Sequence, residues 1–247
     1  MSRRRRKRIT IGDWIVALLV AAVLAWAFIP SARAWADAAW KRASAQWAPG
    51  ASSSIDSLPE TQAAAELKAL PVRESANGGA PEYSRAAFGQ AWADEDHNGC
   101  DTRNDVLARD LARPTFKAGT RDCVVLTGTL AEPYTGSVIE FQRGQDTSAL
   151  VQIDHVVALA DAWRSGAWQW DAAARQKFAN DQSNLLAVDG RANEDKSSAS
   201  ADEWLPPNED FRCDYVKTQI SVKTTWGLSV TAAERDAMAE VLRACPD

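Results

Sequence analysis

The sequence predicts an α+β fold, on three observations. Apolar runs that alternate like strands occur at residues 123–130 and 138–143 and in VQIDHVVAL at 151–159. Stretches with helical spacing lie around them, and Gly and Pro punctuate the joins, as in AEPYTG. At 247 residues and 46% hydrophobic content, the chain is long enough for one substantial core with appendages and too short for two full domains.

The N-terminus comes first. Arg3 to Arg6, Lys7 and Arg8 precede an apolar run at 14–29 that Pro30 ends. Basic residues stay on the cytoplasmic side while such a run enters the bilayer as a hydrophobic helix. About 16 apolar residues fall short of the roughly 20 needed for a full span. Ala32-Arg33-Ala34 also offers small residues at a cleavage site. Residues 1–34 therefore read as a cleaved signal peptide or as a retained membrane anchor, and both remain open. Either places the rest of the chain outside the cytoplasm, secreted or anchored at the cell surface. Six clustered cations beside a buried core helix would have no partners, which argues against that third reading.

Residues 35–57 read as linker, within a stretch rich in Ala, Ser, Gly and Pro, and a folded domain occupies 58–247. A short amphipathic helix is expected at 58–72, between Pro59 and Pro71. Further helices are expected at 84–92, 104–113, 157–164, 171–180 and 191–203, and a strand at 185–188. The last helix, at 231–244, carries the strongest signal: Thr231 as N-cap and Glu234 three residues on form a capping box. Trp92, Trp163, Trp168, Trp170, Trp204 and Trp226 are the tryptophans left for the core once the N-terminal five are set aside.

Cys100, Cys123, Cys213 and Cys245 are even in number and none lies in a CxxC spacing, so two disulfides are expected, in keeping with export. Of the three pairings, Cys100 with Cys123 and Cys213 with Cys245 close the shorter loops, each worth on the order of 3 kcal/mol.

The chemistry concentrates in an ordered series: Asp154 and His155 at the end of an apolar run, Asn184 in DQSNLL, then Asn193 and Lys196 in RANEDK. Hydrolysis of a phosphodiester needs a water that loses its proton, a cation to spread the phosphate's charge, and stabilisation of the leaving 3′ oxygen. An imidazole suits the first task at neutral pH, which makes His155 the expected general base. Asp154 is a hard oxygen donor. Successive strand residues point to opposite faces, so Asp154 and His155 address one site only at a strand end or kink. Taken singly, each residue has an ordinary structural reading: a satisfied histidine, a turn asparagine, a solvated lysine. Their joint spacing is what favours a site.

The segments DHVVALADAW, NDQSNLLAVDG, NEDK and WLPPN resemble the HNH, or ββα-metal, endonucleases. They are most similar to the branch found at the C-terminus of GmrSD-type restriction enzymes and in exported actinobacterial proteins. The resemblance covers roughly residues 81–245, including FGQAW, NGCDTRNDVLARDL and LTGTLAEPYTG. It implies a ββα-metal hairpin-plus-helix core with additional helices. It also implies Mg²⁺, with Mn²⁺ as substitute, on Asp154 and Asn193, and Asn184 bracing the loop that carries His155. Asn193 stands where the name-giving pattern has histidine, as in the HNH domain of CRISPR effector nucleases. Lys196, one turn after Asn193, is expected to meet a phosphate oxygen, and Arg103 in CDTR to contact the scissile phosphate. No organic cofactor is implied.

In DEDHNGCDTRND, Asp94, Asp96, Asn98, Gly99 and Asp105 fall at positions 1, 3, 5, 6 and 12 of a calcium loop, with aspartate in place of the bidentate glutamate. The other reading is an acidic turn stapled by Cys100, with Asp101 and Asn104 capping the helix that follows and His97 exposed.

Net charge is −5, and removing the six leading cations leaves −11 for the remaining chain. An acidic body repels phosphates at long range, and no basic stripe or recognition helix is present, which argues against sequence-specific nucleic-acid binding. A local groove built from metal ions with Arg103, Arg191, Lys196 and Lys217 fits nonspecific cleavage of DNA, with RNA a further substrate. The competing reading is a non-catalytic, calcium-stabilised surface module that binds a cell-envelope partner. The acidic charge and the calcium-like loop favour it, and the Asp-His-Asn-Asn series opposes it.

Overall fold

A computed structural model describes residues 55–245 apart from 56 and 146. The expected signal or anchor at 1–34, and nearly all of the linker, lie outside the described residues. Among those described, no helix is long and apolar enough to cross a membrane.

The fold is α+β. Its helices are α1 (Gln62–Ala69), α2 (Thr102–Asp110), α3 (Leu159–Arg164), α4 (Ala172–Ala179), α5 (Gly190–Lys196), α6 (Arg212–Thr225) and α7 (Ala232–Ala244). Its strands are β1 (Ala112–Phe116), β2 (Val125–Ala131), β3 (Val138–Gln142), β4 (Val151–His155) and β5 (Leu185–Asp189). β1, β2 and β3 form one antiparallel sheet in that order, and β4 pairs antiparallel with β5, Val151 opposite Asp189 and His155 opposite Leu185.

Two apolar clusters include residues of the β4–β5 pair, and a third holds the segment just after β4. Val151, Ile153, Leu185 and Ala187 join Val106 and Leu107 of α2 and Leu130 of β2. Val156 and Val188 join Leu67 of α1, Ile220 of α6 and Met238 of α7. Val157 joins Phe88, Trp163 and Phe178. A two-stranded pair is marginal alone; here two clusters hold it and a third holds the segment after it, which fixes the residues at its end. Of the six tryptophans expected in the core, Trp163 is buried and the others pack half-buried against these clusters.

Both expected disulfides are present, Cys100–Cys123 and Cys213–Cys245. The first staples the acidic turn to the approach of β2, and the second ties the start of α6 to the end of α7. The capping box of Thr231 and Glu234 forms.

Three expectations are corrected, and one helix is new. The helix at 84–92 is one 3₁₀ turn, Arg85–Phe88, because Gly89 follows at φ 76° and breaks the helical path. The helix expected to reach residue 113 ends at Asp110, and 112–116 becomes β1, an edge strand of the sheet. The helix expected to reach 203 ends at Lys196, where Ser197 turns to φ 50° and donates its N–H to the Asn193 carbonyl. Helix α6 is not anticipated by the sequence: RCDYVKTQISVKTT is rich in β-branched residues, and burial of Tyr215, Val216, Ile220 and Val222 overrides their weak helical preference.

Candidate active site

The site is built where β4 ends and α5 begins. Along β4, Val151 and Ile153 pack into the core, while Gln152 and Asp154 face α5. Asp189 caps α5 by accepting from the Ala192 N–H at 2.8 Å. The turn from β5 into α5 is tight enough that a Cβ at Gly190 would overlap the Ala149 carbonyl oxygen, so glycine is required there. The helix thus lies directly over Gln152 and Asp154. Asn193 and Lys196, three residues apart, look down on that face.

Asp154, His155 and Asn193 line one open cleft of about 560 Å³, together with Tyr83, Arg85, Gln152, Glu194 and Ser197. Because His155 is the last residue of β4, it and Asp154 border the same space although they leave the strand on opposite sides.

His155 is 7% exposed, and its Nε2 lies 2.8 Å from the Ala179 carbonyl oxygen. A carbonyl only accepts, so the proton sits on Nε2 and Nδ1 keeps its lone pair. Burial pushes the imidazole pKa down to about 4, against the Ala179 bond and aided by the charges of Arg85 and Lys196. The ring is therefore neutral near pH 7. Trp92, at φ 57°, lies nearly parallel to it at 6.1 Å between centroids.

Asp154 is 5% exposed, and its carboxylate is fully engaged from behind. Tyr134 donates its hydroxyl to Oδ2 at 2.5 Å, and Lys196 Nζ lies 3.0 Å from both oxygens. Burial raises the carboxyl pKa, opposed by Lys196 and Tyr134. Lys196 also donates to the His155 carbonyl at 2.9 Å. Asn193 is half-buried; its Nδ2 donates to Gln152 Oε1 at 2.7 Å, and its Oδ1 makes no hydrogen bond among the described residues.

Asn184 sits behind the loop that follows His155. Its Oδ1 accepts from the Val157 N–H at 2.7 Å, its Nδ2 donates to the Val157 carbonyl at 3.1 Å, and its own carbonyl accepts from the Val156 N–H. Gln219 of α6 adds a bond to the Val156 carbonyl.

Two expected phosphate contacts lie elsewhere. Lys196 is fully buried against Asp154, because the short strand-to-helix turn draws α5 onto β4. Arg103, on α2, donates to the Val151 carbonyl at 3.1 Å, at the far end of β4 from His155, and burial lowers its pKa. Neither Arg191 nor Lys217 lines the cleft. The cation that does is Arg85, which is exposed and donates no hydrogen bond to any described residue. No motif singled out Arg85 in the sequence. Tyr134 falls in the AEPYTG turn, and nothing in its spacing shows its reach to Asp154.

The acidic turn bonds largely within itself, but Asp94 Oδ1 is buried without a hydrogen-bond partner among the described residues. Asp94 Oδ2 accepts from the Gly99 N–H at 3.0 Å, Asp96 Oδ1 from the Asn98 N–H at 3.2 Å, and Asn98 Nδ2 also donates to Asp105 Oδ1 at 3.2 Å. Burial raises the Asp105 pKa, and the charges of Asp96, Asp101 and Asp94 add to it. Asp101 caps α2 by accepting from the Asn104 N–H, and His97 is exposed. Among the described residues, no group of three or more His, Cys, Asp and Glu side chains is placed to hold a metal ion.

Residues 101–241 match the family model described as GmrSD restriction endonucleases, C-terminal domain. An uncharacterized secreted protein of Arthroderma benhamiae is 38% identical over 148 residues, covering 59% of this chain and 68% of that protein. No solved structure matches.

Proposed function

Because the chain belongs to the family of GmrSD restriction endonuclease C-terminal domains, we propose that it is an exported, divalent-metal-dependent endonuclease of the HNH type. In this reading β4, β5 and α5 form the ββα-metal unit, acting on DNA, and on RNA, with little sequence preference. The observation that carries the reading is one cleft in which a neutral imidazole with a free Nδ1 borders the oxygen donors Asp154 and Asn193. Export is supported by the two disulfides and by the relative named as secreted.

The donor set fits a hard cation. One carboxylate and one amide oxygen leave several of six positions to water and phosphate, as Mg²⁺ prefers, with Mn²⁺ as substitute. When bound, such an ion supplies Lewis-acid stabilisation of the charge that builds on the phosphate and the departing oxygen. The chain's own residues do the rest. His155 Nδ1 takes a proton from water, the hydroxide oxygen bonds to phosphorus, and the bond from phosphorus to the 3′ oxygen breaks. Ala179 holds the tautomer that leaves Nδ1 free, and an anionic phosphate entering the cleft raises the ring's proton affinity. Asn184 positions the loop behind the base, and Arg85 meets a non-bridging phosphate oxygen in the place expected of Arg103.

The calcium-stabilised binding module is the weaker reading: most polar groups of the acidic turn bond one another, and only the acidic charge and the buried, unpartnered Asp94 Oδ1 speak for it. The test is nicking of supercoiled plasmid by the full-length chain with Mg²⁺, with circular dichroism as the folding check. His155→Ala should lower the rate by about 10²–10⁴-fold and Arg85→Ala by about 10²-fold, and EDTA should stop it. A folded parent that cleaves neither DNA nor RNA with Mg²⁺ or Mn²⁺ overturns the proposal.

A further inference from the structure

Lys196 is the least exposed cation near the cleft, and its placement has a direct bearing on ion binding. Its side chain is completely buried, yet its ammonium touches both oxygens of Asp154 at 3.0 Å and the carbonyl of His155 at 2.9 Å. Tyr134 occupies Oδ2 of the same carboxylate from another side. The carboxylate that faces the cleft is therefore already neutralised by a cation belonging to the chain. A divalent ion on Asp154 would share it with that ammonium, and two cations on one buried carboxylate repel strongly where water does not screen them.

We propose that Lys196 is an internal counter-cation. It balances the charge of the Asp154 carboxylate before the ion arrives, and it keeps divalent-ion affinity low by competing for the same oxygens. The proposal rests on the reading of Asp154 and Asn193 as ion ligands. It differs from a purely structural salt bridge because it fixes the sign of a binding change. Removing a structural partner weakens or leaves unchanged the site it supports, whereas removing a competitor tightens it. It also differs from a phosphate-contacting lysine, whose loss would act on substrate and leave ion binding alone.

The experiment titrates the EDTA-stripped full-length chain with Mn²⁺, reading free ion by electron paramagnetic resonance, for the parent and for Lys196→Gln. The variant should bind Mn²⁺ about tenfold tighter or more. Its thermal midpoint, lowered in EDTA, should recover more on Mn²⁺ addition than the parent's rises. Equal or weaker binding by Lys196→Gln, with the parent binding normally, overturns the proposal and leaves the nuclease reading standing. No binding by either protein overturns both. A measurement on the unaltered chain stands beside it in case the variant does not fold. The buried ammonium of Lys196, seen by ¹H–¹⁵N correlation of its NH₃⁺ group, should shift or broaden as Mg²⁺ is added. A resonance unmoved by saturating Mg²⁺ overturns the proposal independently.

Discussion

Two lysines among the described residues are completely buried, and their surroundings differ in kind. Lys223, on α6, lies 2.7 Å from Asp161 and 2.5 Å from Glu234. Arg73 reaches both carboxylates, Arg164 approaches Asp161, and Ser165 and Ser229 supply further oxygens. That cluster is closed: it ties α3, α6, α7 and the segment after α1, and none of its charges borders the cleft of His155. Lys196 has one carboxylate, to which Tyr134 also donates, and one carbonyl, and the residue bearing that carboxylate lines the cleft. The same residue type thus balances charge in both places. Of the two, only the partner of Lys196, Asp154, lines the cleft.

The largest break in this comparison should come from Lys223→Met. Two buried carboxylates would share only Arg73 and Arg164, and losing one partner of a buried pair costs about 3–5 kcal/mol. Urea unfolding should show that loss equally in EDTA and in Mn²⁺. A Lys196 variant is relieved by Mn²⁺; relief of Lys223→Met to the same extent would erase the distinction.

Tyr134→Phe should cost less. It removes one hydrogen bond to a charged, buried carboxylate, about 1.5–3 kcal/mol, while Lys196 stays in place. The pKa of the Tyr134 hydroxyl is held well above its ordinary value by burial and by Asp154, so it acts as a donor throughout the accessible range. Denaturant midpoints measure the loss, and Mn²⁺ affinity should change far less than in Lys196→Gln.

The smallest effect is in acid, where the two aspartates have opposite signs. Burial pushes the Asp161 carboxyl up, but Lys223, Arg73 and Arg164 outweigh it and its pKa is lowered. Its contribution is therefore complete above the unfolded value of about 4 and is lost as pH falls through the folded one. Asp154 is raised by burial, so the folded state binds its proton more readily and its contribution grows as pH falls. Glu234, also raised by burial, blunts the acid loss at the closed cluster. Between about pH 5 and 2, Asp161→Asn should lose less stability than the parent and Asp154→Asn more. Unfolding curves across that range check both slopes, and a shared sign would contradict the contrast.

Much of the site is legible in the sequence because its residues are close in the chain or follow regular spacing. Asp154 and His155 end an apolar run, and Asn193 and Lys196 are one helical turn apart. The direction in which Lys196 points is a different matter. An i,i+3 spacing shows that it shares a face with Asn193, but only the closeness of α5 to β4 shows that this face is buried. Arg103 and Arg85 divide in the same way. Both are arginines near short polar motifs, and which one reaches the cleft depends on how α2 and the 3₁₀ turn Arg85–Phe88 pack around β4, contacts between residues more than 45 positions apart.

By itself the sequence determined the α+β class, the expectation of two disulfides, the capping box of α7, the placement of His155 at a strand end and the family. Each rests on local spacing, short loops or ordered motifs. Tertiary structure alone decided the existence of α6, the burial of Lys196, the partnership of Tyr134 with Asp154 and the exposure of Arg85. Each depends on distant segments excluding water from a polar group, or failing to, and no local pattern carries that information.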